Sequence, residues 1–407
     1  MELYGFQKQS IKDLYSGKHI VVQATGSGKT AVMMKWLASV NPKKVLIITT
    51  PSKRDSGDFL KDADTWNGNG WRDRLEDFEV ISWHGLAKWV KAHDKHLNEY
   101  AYAFDEIQKA KAGVSSGMGK AFLKITINSS LWAGFTATPG DNWLHFYPYF
   151  TACGFVKHKT DFKRKFAIEQ NYKGFPEITG WVHEDLLKKW WDEISTTPDT
   201  SQMFRELPSE LHKVVEFNKP RGYDKLRKTR ITEDGEFLDT TMGLCHALRE
   251  MSFTKEKKQW VEDFISGLGT NAVLFYNYIE EGDELEQIIK KANKDAKVWR
   301  IDGKHHDIPT EKTIGKYDIV LCQWQSGSEA LNLQFINYWV SITPTYSYMT
   351  SVQARGRIKR LGQKKTMYFF YLKCDGIESD VYKALSEKRD FSEDVYINGG
   401  KDGEMEK

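Results

Sequence analysis

No run of this sequence approaches the roughly 20 apolar residues that a bilayer-spanning helix needs, and the polar stretch 1–13 lacks the apolar segment of a secretory signal. The expectation is a cytoplasmic protein with no membrane partner. Cysteine is scarce: Cys153, Cys245, Cys322 and Cys374 stand singly, without the paired spacing of a zinc or redox site, and read as buried thiols in a reducing compartment. A dominant charge is missing too. With 59 Lys and Arg against 56 Asp and Glu, the net charge of +3 excludes a polycation, so an anionic partner must be met by local patches. With 13% aromatic and 28% charged residues, no long tract has the composition of a disordered chain; the tail 396–407 alone reads as flexible.

What is present is a repeated rhythm. The 407 residues, 40% of them hydrophobic, suffice for two α/β domains of roughly 150 to 200 residues each. Short β-rich apolar runs recur at 19–24, 45–50, 78–83, 101–105 and 131–138, with helix-length segments between several of them, which is the pattern of a parallel sheet. A second series follows at 272–277, 297–302, 318–323, 338–343 and 367–373. The expected division is therefore a first lobe at 1–150, helical inserts and a linker at 151–255, and a second lobe at 256–395. Two locally basic stretches, 157–165 and 219–230, read equally well as solvated helix faces or as anion contacts. Trp190 and Trp191 read as packing inside the insert rather than as a stacking platform, and His305 and His306 as loop residues.

The run Gln23-Ala24-Thr25-Gly26-Ser27-Gly28-Lys29-Thr30 follows an apolar strand and precedes a helical pattern, the context of a phosphate-binding loop. Glycines let backbone N–H groups turn inward on a β-phosphate, Lys29 reaches the β- and γ-phosphates, and the Thr30 hydroxyl ligates Mg²⁺. Where the strand 101–105 leaves the sheet stand Asp105 and Glu106. Asp105 is assigned to Mg²⁺, and Glu106 to orienting and deprotonating the attacking water. Far downstream, Arg357 and Arg360 lie three residues apart, hence on one helical face, and are candidates to deliver positive charge to the γ-phosphate. Such an arginine is worth roughly 10³ to 10⁵ in rate.

These residues resemble helicase superfamily two and, within it, the Swi/Snf-like translocases of double-stranded DNA, over nearly the whole chain. Phe6-Gln7 resembles the adenine-reading Q element, residues 24–30 motif I, Thr50-Pro51-Ser52 motif Ia, residues 105–108 motif II, and Thr136-Ala137-Thr138-Pro139 motif III. Residues 326–334 are similar to motif V, and Gln353 to Gln363, with its trailing Leu-Gly-Gln, to motif VI. Glu206-Leu207-Pro208 followed by Tyr223 resembles a stretch particular to the Swi/Snf-like group.

The resemblance implies two RecA-like P-loop lobes with helical inserts and an ATP and Mg²⁺ site assembled between the lobes. The nucleotide residues it implies are Gln7, Thr25 through Thr30, Gly327 and Glu329, with Gln353 beside Arg357 and Arg360 in catalysis. Thr136 and Thr138 are implied to couple hydrolysis to motion, and Thr50, Ser52, Tyr276, Asn277, Ser326 and Ser328 to face the DNA backbone. Gln108, Ala112 and Ala330 depart from the family, which usually has His at the first and often Asn and Gly at the others. The activity implied is a DNA-dependent ATPase that translocates on double-stranded or branched DNA, as a monomer, with replication or repair proteins as partners. A strand-separating helicase and a nucleotide-dependent DNA clamp share the same motifs and stay open.

Overall fold

The computed structural model describes residues 2–398 apart from 56, 68, 69, 141, 173, 174 and 328–330. The chain divides into two compact units, Met1–Arg205 and Glu206–Lys407.

The first unit is built on β1 (Ile20–Val22), β2 (Lys44–Thr49), β3 (Asp77–Ser82), β4 (Tyr100–Asp105) and β5 (Trp132–Thr136). All pair in parallel in the order β3-β2-β4-β5-β1. Every residue of β4 and β5 is buried, as a parallel sheet covered by helices on both faces requires. One face packs Leu46, Ile48, Tyr102 and Phe104 against an aromatic-rich layer; the other packs Val45, Ile47, Ala101 and Ala103 against Val32, Met33 and Leu37 of the helix Lys29–Val40. That alternation along each strand is the period-two geometry of a strand buried on both sides.

The region 151–255 is not a body of its own, because each half docks onto a sheet. From 151 to 205 come a hairpin of β6 (Ala167–Tyr172) and β7 (Phe175–Trp181), and β8 (Ser195–Thr196), which extends the first sheet beside β1. The helices Lys159–Phe166 and Glu184–Ile194 bury Phe162, Phe166 and Leu187 in the aromatic layer, and Trp190 stacks on Phe155 with centroids 5.0 Å apart. Trp191 meets Phe146 edge-on at 4.7 Å. Both tryptophans thus pack as the sequence suggests. The basic side chains Lys163, Arg164 and Lys165 are paired to Glu169 and Asp161, a solvated face.

The second unit repeats the plan with β9 (Glu210–Phe217), β10 (Ala272–Tyr276), β11 (Val298–Ile301), β12 (Ile319–Gln323), β13 (Tyr338–Ser341) and β14 (Met367–Cys374), again all parallel, in the order β11-β12-β10-β13-β14-β9. β9 falls in the stretch expected to be helical. It is an edge strand with Leu211 and Val214 each 53% exposed, so it lacks the apolar alternation that betrays a strand, and its partner β14 is remote in sequence. The helices Tyr223–Thr229 and Thr241–Ser252 join Ile377–Ser386 in a small satellite core around Tyr223, Leu248 and Val381. Lys257 and Glu378, both with fully buried side chains, close an ion pair at 2.7 Å, and Glu378 also accepts from the Cys374 N–H. Burial pushes the Glu378 carboxyl up, against the pull of the Lys257 ammonium. Residues 396–398 belong to the helix Glu393–Asn398; the remainder of the expected tail lies outside the described residues. Among the described residues no helix is long and apolar enough to cross a membrane, and none of the four cysteines forms a disulfide.

Candidate functional site

The loop after β1 stays attached to the sheet through the Gln23 N–H, which donates to the Thr136 carbonyl at 3.0 Å. It then turns at Gly26 and Gly28, both at φ 79°, and the 12-residue helix Lys29–Val40 begins. At Gly28 a Cβ would sit 2.6 Å from the Gln7 amide nitrogen, so the left-handed turn and a close neighbour both demand glycine. Gln23, in place of the small residue common there, is buried, donates to Ser10 Oγ at 2.9 Å and accepts from Ser27 Oγ at 3.3 Å. The Lys29 ammonium lies on the carbonyls of Gln23 (3.1 Å) and Ala24 (3.2 Å), and the Thr25 hydroxyl is buried without a partner. A helix N-terminus, a cation on weakly competing carbonyls and an unpartnered hydroxyl together suit a phosphate group.

β4 delivers the carboxylates. Asp105 is 2% exposed; its Oδ2 accepts from Thr49 Oγ1 at 2.7 Å and from Lys53 Nζ at 2.8 Å. Glu106 follows at φ 53°, a left-handed backbone rare for a side-chain-bearing residue and typical of strained functional turns. Lys53 also stands 3.8 Å from Glu106. Sequence reasoning missed this lysine, although a cation four residues beyond the end of the neighbouring strand β2 was there to be noticed. Two adjacent carboxylates already gathered around one cation, with the Thr30 hydroxyl at the start of the helix, fit a divalent metal.

A chain of hydrogen bonds leads away from Glu106. Gln108 Nε2 donates to Glu106 Oε2 at 2.7 Å, Thr136 Oγ1 donates to Gln108 Oε1 at 2.7 Å, and the Thr138 N–H donates to Thr136 Oγ1 at 2.9 Å. The residue that departs from the family therefore bridges the carboxylate to the end of β5. The amide donates to one neighbour and accepts from the other through one planar group, as a neutral imidazole can also do. The Thr138 hydroxyl is buried with no partner.

Several sequence expectations need correction. Gln7 is 3% exposed and braces the loop, accepting from the Tyr4 N–H at 2.9 Å and donating to the Ser27 carbonyl at 2.9 Å, so its amide is not turned toward a base. Thr50 is 1% exposed, its hydroxyl buried without a partner. Tyr276 is fully buried, its hydroxyl committed to Asp302 at 3.0 Å, which removes it as a DNA contact. Asn277 directs its amide to Thr343 Oγ1 and the Pro344 carbonyl, both at 2.9 Å, and so knits the second unit together.

Helical spacing does not relate Arg357 to Arg360, because the helix Tyr348–Arg355, which holds half-buried Gln353, ends before them and Gly356 caps it. Arg357 is 5% exposed; Arg360 donates to the Leu331 carbonyl at 3.0 Å. Burial, then the charge of Arg357, pushes the Arg360 guanidinium down to about 10. Ser326 is half-buried in the short helix Trp324–Gly327. The Ser52 side chain, Ser328, Glu329 and Ala330 lie outside the described residues.

Residues 256–362 match the helicase conserved C-terminal domain. An uncharacterized ATP-dependent helicase of Mycoplasma pneumoniae is 21% identical over 414 aligned residues, covering 94% of this chain and 38% of that protein. Among solved structures, the ATP-dependent Type ISP restriction-modification enzyme LlaBIII bound to DNA covers 93% of this chain at a TM-score of 0.56 and 12% identity, a likeness of fold. The chain spans 28% of that enzyme, so both relatives are much longer. The family match is confined to residues 256–362, and the two sets of parallel strands flanked by helices agree with the RecA-like lobes of the solved relative.

Proposed function

We propose that the chain hydrolyses ATP with Mg²⁺ on binding DNA and translocates along the duplex, remodelling DNA structures or protein–DNA complexes. The observation that carries this reading is the relay from Glu106 through Gln108 and Thr136 to the Thr138 N–H, which ties the carboxylate beside the phosphate loop to the end of β5. A motor needs such a tie between its hydrolytic group and an element that responds to the track; a static clamp does not.

Lys29 and the loop N–H groups hold the phosphates, and Glu106 orients and deprotonates water. Thr30 and Asp105 would hold Mg²⁺, which neutralises the charge on the β- and γ-phosphates. Arg357 and Arg360, with Gln353 beside them, supply the positive charge that the transition state gathers, and Gly327 and Glu329 complete the nucleotide's surroundings. Arg360 remains a cation at neutral pH even with its affinity for the proton reduced. Ser52, Ser326 and Ser328 remain the backbone contacts to DNA. The DNA-bound state named for the solved relative supports DNA as the track, and the Swi/Snf-like motifs support a duplex.

Hydrolysis measured with and without blunt duplex tests this directly. Stimulation by duplex is expected; equal rates in its absence sink the proposal. Displacement of a triplex strand with the underlying duplex left paired marks a translocase, whereas unwinding of a tailed duplex marks a strand-separating helicase. Affinity for duplex should fall with salt at a log–log slope of about −0.9 per phosphate neutralised.

A further inference from the structure

The second unit contains a cavity of about 460 Å³ that uses none of the residues proposed to handle nucleotide or DNA. Its floor is the sheet, where Ser341 of β13, Tyr371 of β14 and Val214 of β9 stand in register on three adjacent strands. Its other side is formed by residues of the helices Tyr348–Arg355 and Ile377–Ser386. The space exists because Ser341, Ser351, Ser379 and Ser386 line it where a close-packed core would place larger side chains. The volume is that of a small-molecule site.

The lining has a definite chemistry. Tyr371 and Tyr382 offer flat apolar surface, with the buried Trp339 behind them. Arg355, Lys373 and Lys383 line it and no Asp or Glu does; Lys373 is paired with Glu216 at 2.6 Å. Two donors in this lining are buried and reach no acceptor: the indole Nε1 of Trp339, whose side chain is 0% exposed, and the Nε of Arg355. Buried donors are ordinarily paired, so two left unpaired in a lining with three cations and no carboxylate favour a ligand that brings acceptors and negative charge.

We propose that this cavity binds a flat aromatic acid of about two fused rings, its ring against Tyr371 and Tyr382 and its anionic group on Arg355. The test titrates the full chain with 8-anilinonaphthalene-1-sulfonate and with its neutral counterpart N-phenyl-1-naphthylamine, following energy transfer from tryptophan. One saturable site is expected, with the sulfonate bound at least about tenfold more tightly than the neutral compound, the worth of one charge-assisted hydrogen bond. Arg355→Met should close that gap, Ser379→Trp should fill the cavity and abolish binding of both probes, and Lys29→Ala should change nothing. Equal affinity for the two probes, or a gap that survives Arg355→Met in a variant with an unchanged far-ultraviolet spectrum, overturns the proposal. If Ser379→Trp fails to fold, the two-probe comparison in Arg355→Met decides alone.

Discussion

The two units place a central strand in similar sheets, yet the ends of those strands are finished in opposite ways. Beyond β1, β4 and β5, the Thr25 and Thr138 hydroxyls are buried without partners, Glu106 sits in a left-handed backbone, and Lys29 rests on two backbone carbonyls. Beyond β10, Tyr276 is bonded to Asp302, Arg300 to Asp302 at 2.6 Å, and Asn277 to Thr343 and Pro344. Sheet geometry alone does not make a site. Glu281 Oε1 is unpartnered at the second end too, so what distinguishes the first is a strained carboxylate turn beside a glycine loop with unpartnered hydroxyls, which a ligand can use.

Substitutions at the two ends should therefore fail differently. The largest effect is expected at the arginines: Arg357→Ala should lower duplex-stimulated turnover by roughly 10³- to 10⁵-fold with little change in melting temperature. Glu106→Gln should cost roughly 10²- to 10⁴-fold in kcat while nucleotide still binds, which a fluorescent ATP analogue would register. A comparable loss of nucleotide affinity would show that Glu106 shapes the pocket rather than the chemistry.

At the buried Lys257–Glu378 pair the damage should be to stability instead. Lys257→Met leaves the Glu378 carboxylate buried and alone, at a cost of about 3 to 5 kcal/mol, and hydrogen exchange should accelerate in Lys255–Gly267 and Ile377–Ser386 while β1 to β5 keep their protection. A smaller effect is expected from Gln108→Ala. Basal hydrolysis should survive while stimulation by duplex falls several-fold, about 1 kcal/mol for the lost relay; unchanged stimulation would remove Gln108 from the coupling path.

The smallest effect is a difference in pH response. His19 stacks on Trp132 at 4.3 Å, and its Nδ1–H donates to the Trp132 carbonyl at 3.0 Å. Burial lowers its proton affinity, against that hydrogen bond. The unfolded chain then binds the proton first, so the first unit is fully stable above about pH 6.5 and weakens as pH falls through the folded value. In the second unit, burial pushes the Asp302 carboxyl up, but the N–H groups of Lys304 and His305, the His305 ring and the Arg300 guanidinium outweigh it and hold it well below the usual range. Its contribution is present above about pH 4 and is lost only in stronger acid. Urea unfolding of His19→Phe between pH 7 and 5 should show a flatter pH dependence than the parent; equal slopes would exclude His19 as its source.

Ten strands, the phosphate loop and the Asp105-Glu106 pair were legible in the sequence because their signals are local. A strand buried on both faces is a short apolar run, and a loop that bends around phosphate needs its glycines next to its lysine. β9 was not legible, since an exposed edge strand carries no such run and takes its order from β14. Tyr276 shows the same limit from the other side: an aromatic at a strand end is identical in sequence whether it faces a ligand or Asp302.

The amino-acid order by itself thus determined the parallel architecture and the glycine turn that opens the helix Lys29–Val40, because backbone propensity and residue spacing act between near neighbours. Only the tertiary structure decided which polar groups are already engaged. It gave Gln108 to Glu106 and Thr136, gave Gln7 to the loop, set Lys53 on the carboxylates, and left Trp339 and Arg355 waiting beside a cavity. Hydrogen-bond partners are chosen by proximity in space, and that is settled only once the sheets are assembled and their helices laid upon them.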